Sequence, residues 1–551
     1  MIRGLFLVVG LSSIVVLQPA APPDLILVNG HVVTVDKAFS IAEAIAIADG
    51  KFLAVGTNAA IRRTAGPGTT VIDLRGRTVI PGLADDHLHD AGGGPGVDLS
   101  RARSIADVLA AVRARVAQSR PGDVIVSNSD WHEAQLAEHR LPYRKDLDSV
   151  APGNPVVLVR GGHEYILNSA ALQKWNITKD TAQLPGGRIT RGSDGELNGE
   201  LIDRAKSLVQ LPPTPRQTIE SLIEQHRKLN AAGLTSIRYP GASIEQYRLL
   251  QEMERRKLLT IRVSQLMRVG ADSAEKMRAA VATLNVRPDE GNEWVRVGGM
   301  KLGVDGGFEG GWMREPYAEP WGERGTFTGV NTMKQGPYTD VVKELNRLGW
   351  RVSTHAVGDA AIDEVLAAYE AANAERSIAG KRWTIEHGFI PKPDQFPRMK
   401  ALDLVISAQN HLYLAGPSLV AYWGPARAAW TTPVRAYLDR GFVVAGGTDS
   451  AVVPYPPLWV IYHFVTRDTI SGGVLGADQK ISREEALRLE TINNAFLTFE
   501  EGVKGSIEPG KLADLVVLAE DILTCPEKQI EQMQIVMTMV GGKVVYGRPP
   551  S

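Results

Sequence analysis

Pro81-Gly82-Leu83-Ala84-Asp85-Asp86-His87-Leu88-His89 is the stretch on which the reading of this chain turns. Side chains alternate along a strand, so two histidines one residue apart project from the same face. They follow Val79-Ile80, an apolar run that reads as the strand itself. Two imidazoles on one face, just past a strand end, make half of a divalent-metal site. A His-x-His pair also occurs without a metal, so the remaining ligands have to come from elsewhere in the chain.

Outward from that point, strands and helices alternate. Helix Gln217–Ala232, stopped by Gly233, precedes strand Leu234–Tyr239, and Thr260–Met267 and Trp294–Val304 read as further strands. Helix Tyr338–Leu348, closed by Gly349, feeds strand Trp350–His355, and Trp383–His387, Leu404–Ala408 and Phe442–Gly446 continue the series. Ser482–Phe496 reads as a closing helix, with Glu485 three residues after its Ser482 cap. With the strand before His87 the count reaches eight, the number that closes a (β/α)8 TIM-like barrel. The barrel region, residues 81–497, exceeds the roughly 250 residues of a bare barrel. Much of the excess lies in residues 91–210, read as a lobe inserted after barrel strand one, with its own helix (Ser104–Ala117) and strands (Val124–Ser127, Val156–Val159).

Both chain ends are strand-rich instead. Residues 22–80 hold Leu25–Val28, His31–Val35, Ala44–Ala48, Phe52–Val55 and Val71–Leu74, with no helical period, and residues 498–551 hold Leu515–Leu518, Ile535–Val540 and Lys543–Tyr546. Neither end alone makes much of a core, so a β-sandwich-like domain built jointly from the two is the economical arrangement.

Composition excludes several function classes. A chain of 551 residues with 44% apolar and 22% charged residues describes a soluble globular protein, and its net charge of -1 leaves no electrostatic footprint for nucleic acid. No glycine-rich loop sits between a strand and a helix in the phosphate-binding arrangement. Residues 1–21 read as a signal peptide: Arg3, the apolar run Leu5–Leu17, then small residues in Gln18-Pro19-Ala20-Ala21. That layout predicts an exported protein, periplasmic or extracellular, with no stable membrane span after cleavage. Cys525 is the only cysteine, so no intrachain disulfide can form.

Functional residues of a barrel sit at the C-terminal ends of its strands. Read there, strand one supplies His87 and His89, strand four Lys301 and then Asp305-Gly306, strand five His355, strand six His387, and strand eight Asp449. Barrel closure would bring these together.

The chain here resembles the amidohydrolase superfamily, in the family 3 or YtcJ-like branch that includes N-substituted formamide deformylase. The matching residues are Val79–His89, Leu147–Leu158, Gly162-His163 with Leu167-Asn168-Ser169-Ala170, and Lys301-Leu302 with Asp305-Gly306. His355–Asp359, Ile385-Glu386-His387, Thr491–Ala495 and Gly505–Val517 complete the set. The resemblance implies a metal-dependent hydrolase acting mainly on C–N bonds, with one or two divalent ions, zinc foremost. By resemblance His87, His89 and Asp449 hold the more buried ion, and His355 and His387 the second. Zn²⁺ lowers the pKa of a bound water towards neutral. Lys301 stands where the family's bridging ligand comes from. A carbamate formed from its amine and CO₂ would serve; an unmodified ammonium paired with Asp305 or with a substrate carboxylate is the alternative. Asp449 is expected to act as proton shuttle, and His163, in the lobe, to reach the substrate carbonyl.

Other residues stay open at this stage. Asp359 either orients a ligand or caps a helix, and Trp131-His132-Glu133 with Trp312 and Tyr317 either line a pocket or fill a core. His226, alone inside its helix, carries no expected role. Glu309, in the loop Gly307-Phe308-Glu309-Gly310-Gly311, departs from the resemblance; it either selects a positively charged substrate or faces solvent. The expected partner is a small molecule with a polarised carbonyl: an N-acyl, N-formyl or cyclic amide. Ester or lactone hydrolysis, and isomerisation or elimination, are alternatives on the same scaffold, and a homo-oligomer is left open.

Overall fold

Leu83–Asp85, rather than Val79-Ile80, is the first barrel strand in the computed structural model of this chain, which describes residues 22–213, 216–452 and 455–549. The apolar run Thr78–Pro81 instead pairs antiparallel with Leu515–Leu518, Val79 opposite Val517 and Ile80 opposite Val516. One apolar segment thus serves one sheet and the next serves another. The switch falls at Gly82, where a Cβ would lie 2.2 Å from Thr235 Oγ1; only a residue without a side chain passes there. The signal-like segment 1–21 lies outside the described residues.

Eight parallel strands follow in simple order: Leu83–Asp85, Leu234–Ala242, Arg262–Met267, Val295–Gly303, Val352–Ala356, Thr384–His387, Val405–Gln409 and Val444–Gly447. The eighth returns to the first through Asp86 N–H on Gly446 O at 3.1 Å and a parallel bridge between Leu88 and Ser450. The strands are apolar and buried along most of their length, as expected where helices cover the outside of a parallel sheet. Among those helices are Ile219–Ala231, Gln335–Arg347 and Asp359–Glu375. The closing helix is two short ones, Arg483–Leu489 and Ile492–Leu497, the first with the expected capping box between Ser482 and Glu485. Thr491 breaks the run because its backbone leaves the helical region, at φ -138° and ψ -92°.

Both chain ends share a six-stranded sheet, in which Ile535–Val540 and Leu515–Leu518 from the C-terminal part flank Thr78–Pro81 and His31–Val33 from the N-terminal part. A four-stranded sheet from residues 25–73 packs with it around Leu27, Ile45, Val79, Val517 and Met537. The N-terminal part also holds one short helix, Asn58–Arg62, which the strand-only reading lacked; Thr57 caps it. Arg262, at the start of the third barrel strand, grips Asp514 with two hydrogen bonds of 2.7 and 2.9 Å, fixing the shared sheet to the barrel floor.

Between the first and second barrel strands the chain builds a five-stranded sheet from residues 125–203, with its own core of Val108, Val112, Leu147, Leu158 and Ile166. This lobe delivers Arg160, Gly161, Gly162 and His163 to the rim of the barrel. No helix among the described residues is long and apolar enough to cross a membrane.

Candidate active site

Barrel closure brings His87, His387 and Asp449 together: one ligand atom from each lies within 4.8 Å of the others, and all three side chains are buried. Asp449 follows the eighth strand, and its backbone N–H bonds to His87 O at 2.6 Å. His89 is more exposed, yet its Nε2 comes to 3.1 Å from Asp449 Oδ1, with His87 Nε2 at 3.4 Å from the same oxygen. His355 stands beside His387, ring centroids 4.5 Å apart. The tightest cluster therefore takes one imidazole from each of the two ligand sets that the resemblance implies.

Hydrogen bonds behind the rings decide which nitrogen of each is free. His87 Nδ1 lies 2.5 Å from Glu386 Oε2. Burial disfavours charge on Glu386, but Arg238, Lys301 and His87 beside it hold its carboxyl well below the usual range. An ionised carboxylate only accepts, so Nδ1 donates and Nε2 carries the lone pair. Gln409 does the same for His387: its NH₂ group donates to Asp86 Oδ1 at 3.2 Å and Ser407 Oγ at 2.8 Å, which turns its carbonyl towards His387 Nδ1 at 2.7 Å. His355 Nε2 donates to Gly306 O at 3.0 Å, leaving Nδ1. Burial, with Lys301 adding to it, pushes His87 down to about 4 and keeps it neutral. Asp449 is held well below the usual carboxylate range, against its burial, by His87, His411 and His89. Neutral imidazole nitrogens around an ionised carboxylate are the donor set that a divalent cation such as zinc takes, so these residues fit one.

Lys301 lies two residues before the end of the fourth strand, buried, at the same cavity as His87, His355 and His387. Burial lowers its ammonium to about 8, opposed by the charges of Glu386 and Asp449. The pairing with Asp305 is absent. Asp305 is occupied instead by backbone N–H groups of Trp312 at 2.9 Å, Val357 at 3.1 Å and Gly358 at 2.9 Å, and it shapes the loop after the fourth strand.

His163 leans in from the lobe and stacks on His355, centroids 5.3 Å apart. Its Nδ1 sits 2.6 Å from Asp203 Oδ1, and this carboxylate raises the imidazole despite burial. Gly307 lies against the ring; a Cβ there would come 2.9 Å from His163 Cγ. The glycine-rich loop is what lets the lobe histidine reach the rim.

Several alternatives left open by the sequence are decided. Glu309 does not face solvent: it is buried and lines a small inner cavity of about 20 Å³. Trp131 fills the lobe core with its Nε1–H on Val159 O at 2.8 Å, and neither it nor His132, Glu133, Trp312 or Tyr317 lines the site cavities. Asp359 starts its helix and accepts the Arg314 N–H at 2.7 Å, far from a ligand role. His226 is buried, with Nδ1 unpaired among the described residues.

His411 was missed. It follows the seventh strand and places Nε2 3.1 Å from Asp449 Oδ2. The same strand-end logic applied to Leu404–Ala408 would have found it. Arg160 was missed too. It is buried among Glu133 (3.0 Å), Glu164 (2.7 Å) and Glu309 (3.3 Å), and no local pattern announces a cluster assembled from the lobe and a barrel loop.

Residues 70–546 match the model of the amidohydrolase family. The N-substituted formamide deformylase of Arthrobacter pascens is 30% identical, over 96% of this chain and 99% of that protein. The putative amidohydrolase YtcJ of Bacillus subtilis is 25% identical, over 94% and 98% respectively. Among solved structures, an uncharacterized metal-dependent hydrolase from Pyrococcus furiosus superposes with a TM-score of 0.63 at 26% identity, covering 91% of this chain and all of that one. With an eight-stranded parallel barrel, two neutral imidazoles and a carboxylate converging at its rim, and a family match over most of its length, this chain belongs to the amidohydrolase family and is a hydrolytic enzyme.

Proposed function

We propose that this protein is an exported, metal-dependent hydrolase of amide-type C–N bonds, in which Asp449 moves the proton. The observation that carries the reading is the convergence of His87 Nε2, His387 and the Asp449 carboxylate within 4.8 Å, their free atoms set by Glu386 and Gln409. His87, His89 and Asp449 would hold one divalent ion, zinc being the foremost candidate, and His355 and His387 a second. A divalent ion there supplies a water of near-neutral pKa and polarises a carbonyl.

The chain's own groups do the rest. Asp449, ionised and flanked by histidines, accepts the proton of the attacking water and returns it to the leaving amine. His163, its imidazole raised by Asp203 against burial, offers an N–H to the substrate carbonyl oxygen. Lys301, with an ammonium lowered to about 8, gives up its proton more readily than an exposed lysine. The ammonium would first give up one proton; the neutral amine then adds to CO₂ and releases a second, so that a cation becomes a carbamate anion with two oxygen donors. A small inner cavity and an outer one of about 840 Å³ meet at His163, His355, His387 and Asp449, so the bulk of a substrate has its room on the outer side.

The test is elemental analysis of active enzyme, followed by a screen of N-acyl, N-formyl, cyclic amide and ester substrates in H₂¹⁸O. Stoichiometric divalent metal with ¹⁸O in the product of an amide supports the reading. Metal-free active enzyme sinks it. Turnover without solvent oxygen assigns isomerisation or elimination, and turnover of esters alone assigns ester hydrolysis.

A further inference from the structure

The outer cavity of about 840 Å³ is lined by four cationic side chains besides Lys301: Arg204, Lys206, Arg268 and Lys276. Its carboxylates are already engaged. Asp203 holds His163 Nδ1 at 2.6 Å, Asp272 pairs with Lys276 at 2.7 Å, and Asp305 accepts from the backbone N–H groups of Trp312, Val357 and Gly358. Asp449 stands among the donor histidines. Asp90, next to His89, accepts the Gly92 N–H at 2.7 Å and has the charge of Lys228 beside it. Arg204, Lys206 and Arg268 are left with no carboxylate oxygen within 4.0 Å among the described residues.

Two of these cations converge from different parts of the fold. Arg268 follows the third barrel strand, and Met267 pairs with Met300, so Arg268 stands one strand from Lys301. Its backbone N–H donates to Ala242 O at 3.1 Å, and Gly241 lies along its stem, where a Cβ would be 3.5 Å from Arg268 Cδ. The guanidinium itself is spent on nothing among the described residues. Lys206 comes from the lobe, just after strand Leu197–Asp203. Its Nζ donates to Gly162 O and lies 5.2 Å from the centre of the Tyr165 ring. An ammonium has three protons, so one carbonyl leaves two of them free. Burial lowers the Lys206 ammonium, and the charge of Arg268 lowers it further, as it does that of Lys301. Like charges gathered on one cavity repel, and an anion between them relieves the repulsion.

We propose that Arg268 and Lys206 form a carboxylate subsite for the outer part of the substrate, Arg268 as a planar fork and Lys206 as a point charge. The substrate class is then an amide whose larger side bears a carboxylate; the inner cavity of about 20 Å³ leaves space for only a small group on the other side of the scissile bond. This inference rests on the hydrolytic reading of the site and adds what the outer part of the substrate carries.

Monohydroxamates of malonic, succinic and glutaric acid are compared with their carboxamides, in which a neutral CONH₂ of the same shape replaces the free carboxylate. Kd values are measured by calorimetry at low ionic strength on the metal-loaded, full-length enzyme and its variants. At the chain length that spans the two points, the acid is expected to bind about tenfold to a hundredfold more tightly than the amide. Arg268→Gln and Lys206→Gln should each cut that preference about fivefold or more while the carboxamide keeps its Kd, which shows that the site is folded. Lys276→Gln removes a charge that Asp272 already balances and should leave the preference in place. An acid-to-amide ratio near one at every chain length overturns the inference. So does a ratio that survives either Arg268→Gln or Lys206→Gln, or one that Lys276→Gln lowers equally; these results leave the hydrolase reading intact. Failure of the wild type to bind any of the hydroxamates overturns both.

Discussion

His411 Nε2 stands 3.1 Å from Asp449 Oδ2, while His89 and His87 approach Oδ1 at 3.1 and 3.4 Å. The two oxygens of one carboxylate are thus held by different elements, one by the histidines after the first barrel strand and one by the histidine after the seventh. Under the proposed mechanism His411 fixes the angle of the proton carrier without belonging to the metal-donor cluster. His411→Asn should therefore lower kcat about tenfold to a hundredfold with metal content unchanged. Elemental analysis beside steady-state kinetics checks it; parallel loss of metal would place His411 among the ligands.

Asp449→Asn keeps the size and one ligand oxygen of the side chain but removes the base. A kcat loss of about 10²–10⁴-fold is expected, with the acidic limb of the pH profile gone. Near-normal turnover with metal in place would move the base to another group, His163 first.

Glu386 orients His87 and also pairs with Arg238 at 2.7 Å. Glu386→Gln should reduce metal affinity about 10–100-fold, measured by competition with a chromogenic chelator, and lower Tm because Arg238 loses its buried counter-charge. Unchanged metal affinity would show that the ring is held by packing alone.

Lys301 should bind CO₂. Enzyme reconstituted with metal in ¹³C-bicarbonate is expected to show a carbamate resonance that Lys301→Ala lacks, and the variant should hold less metal without losing the barrel fold by circular dichroism. An active wild type with no such resonance would leave Lys301 an ordinary amine.

His226 offers a pH test of stability away from the site. Burial lowers its pKa from 6.5 to about 4, so between these values the unfolded chain binds the proton more readily than the folded one. Its contribution is full above pH 6.5 and is lost as pH falls towards 4, amounting to at most about 3 kcal/mol. Denaturant melts of His226→Leu should show a shallower loss of stability over that window than wild type, with kcat at neutral pH nearly unchanged. Matching pH slopes would remove His226 from the account.

Rim residues were legible because each follows its own strand directly: His355 and His387 lie within or at the end of the strands read for them, and Asp449 just beyond. Strand identity was less legible where two sheets compete for one apolar run. Val79-Ile80 and Leu83-Ala84 are equally apolar, and only the pairing of the first with Val516-Val517 separates them. The break in the closing helix was hidden for a similar reason, since Ser482–Phe496 carries no glycine or proline to announce it.

The amino-acid sequence by itself determined the alternation of strands and helices, the shared strand-rich ends, and the imidazoles, lysine and carboxylate at the strand ends. Those features depend on local periodicity and on position relative to one strand. Tertiary structure alone decided which ring nitrogen is free, because Glu386, Gln409 and Gly306 act from neighbouring strands or loops. It alone decided that Lys301 lacks Asp305, that His411 meets Asp449, and that Glu309 is enclosed with Arg160. A hydrogen bond between residues 149 positions apart, as from Arg160 to Glu309, leaves no trace in either local sequence; it exists only once the lobe is folded over the barrel.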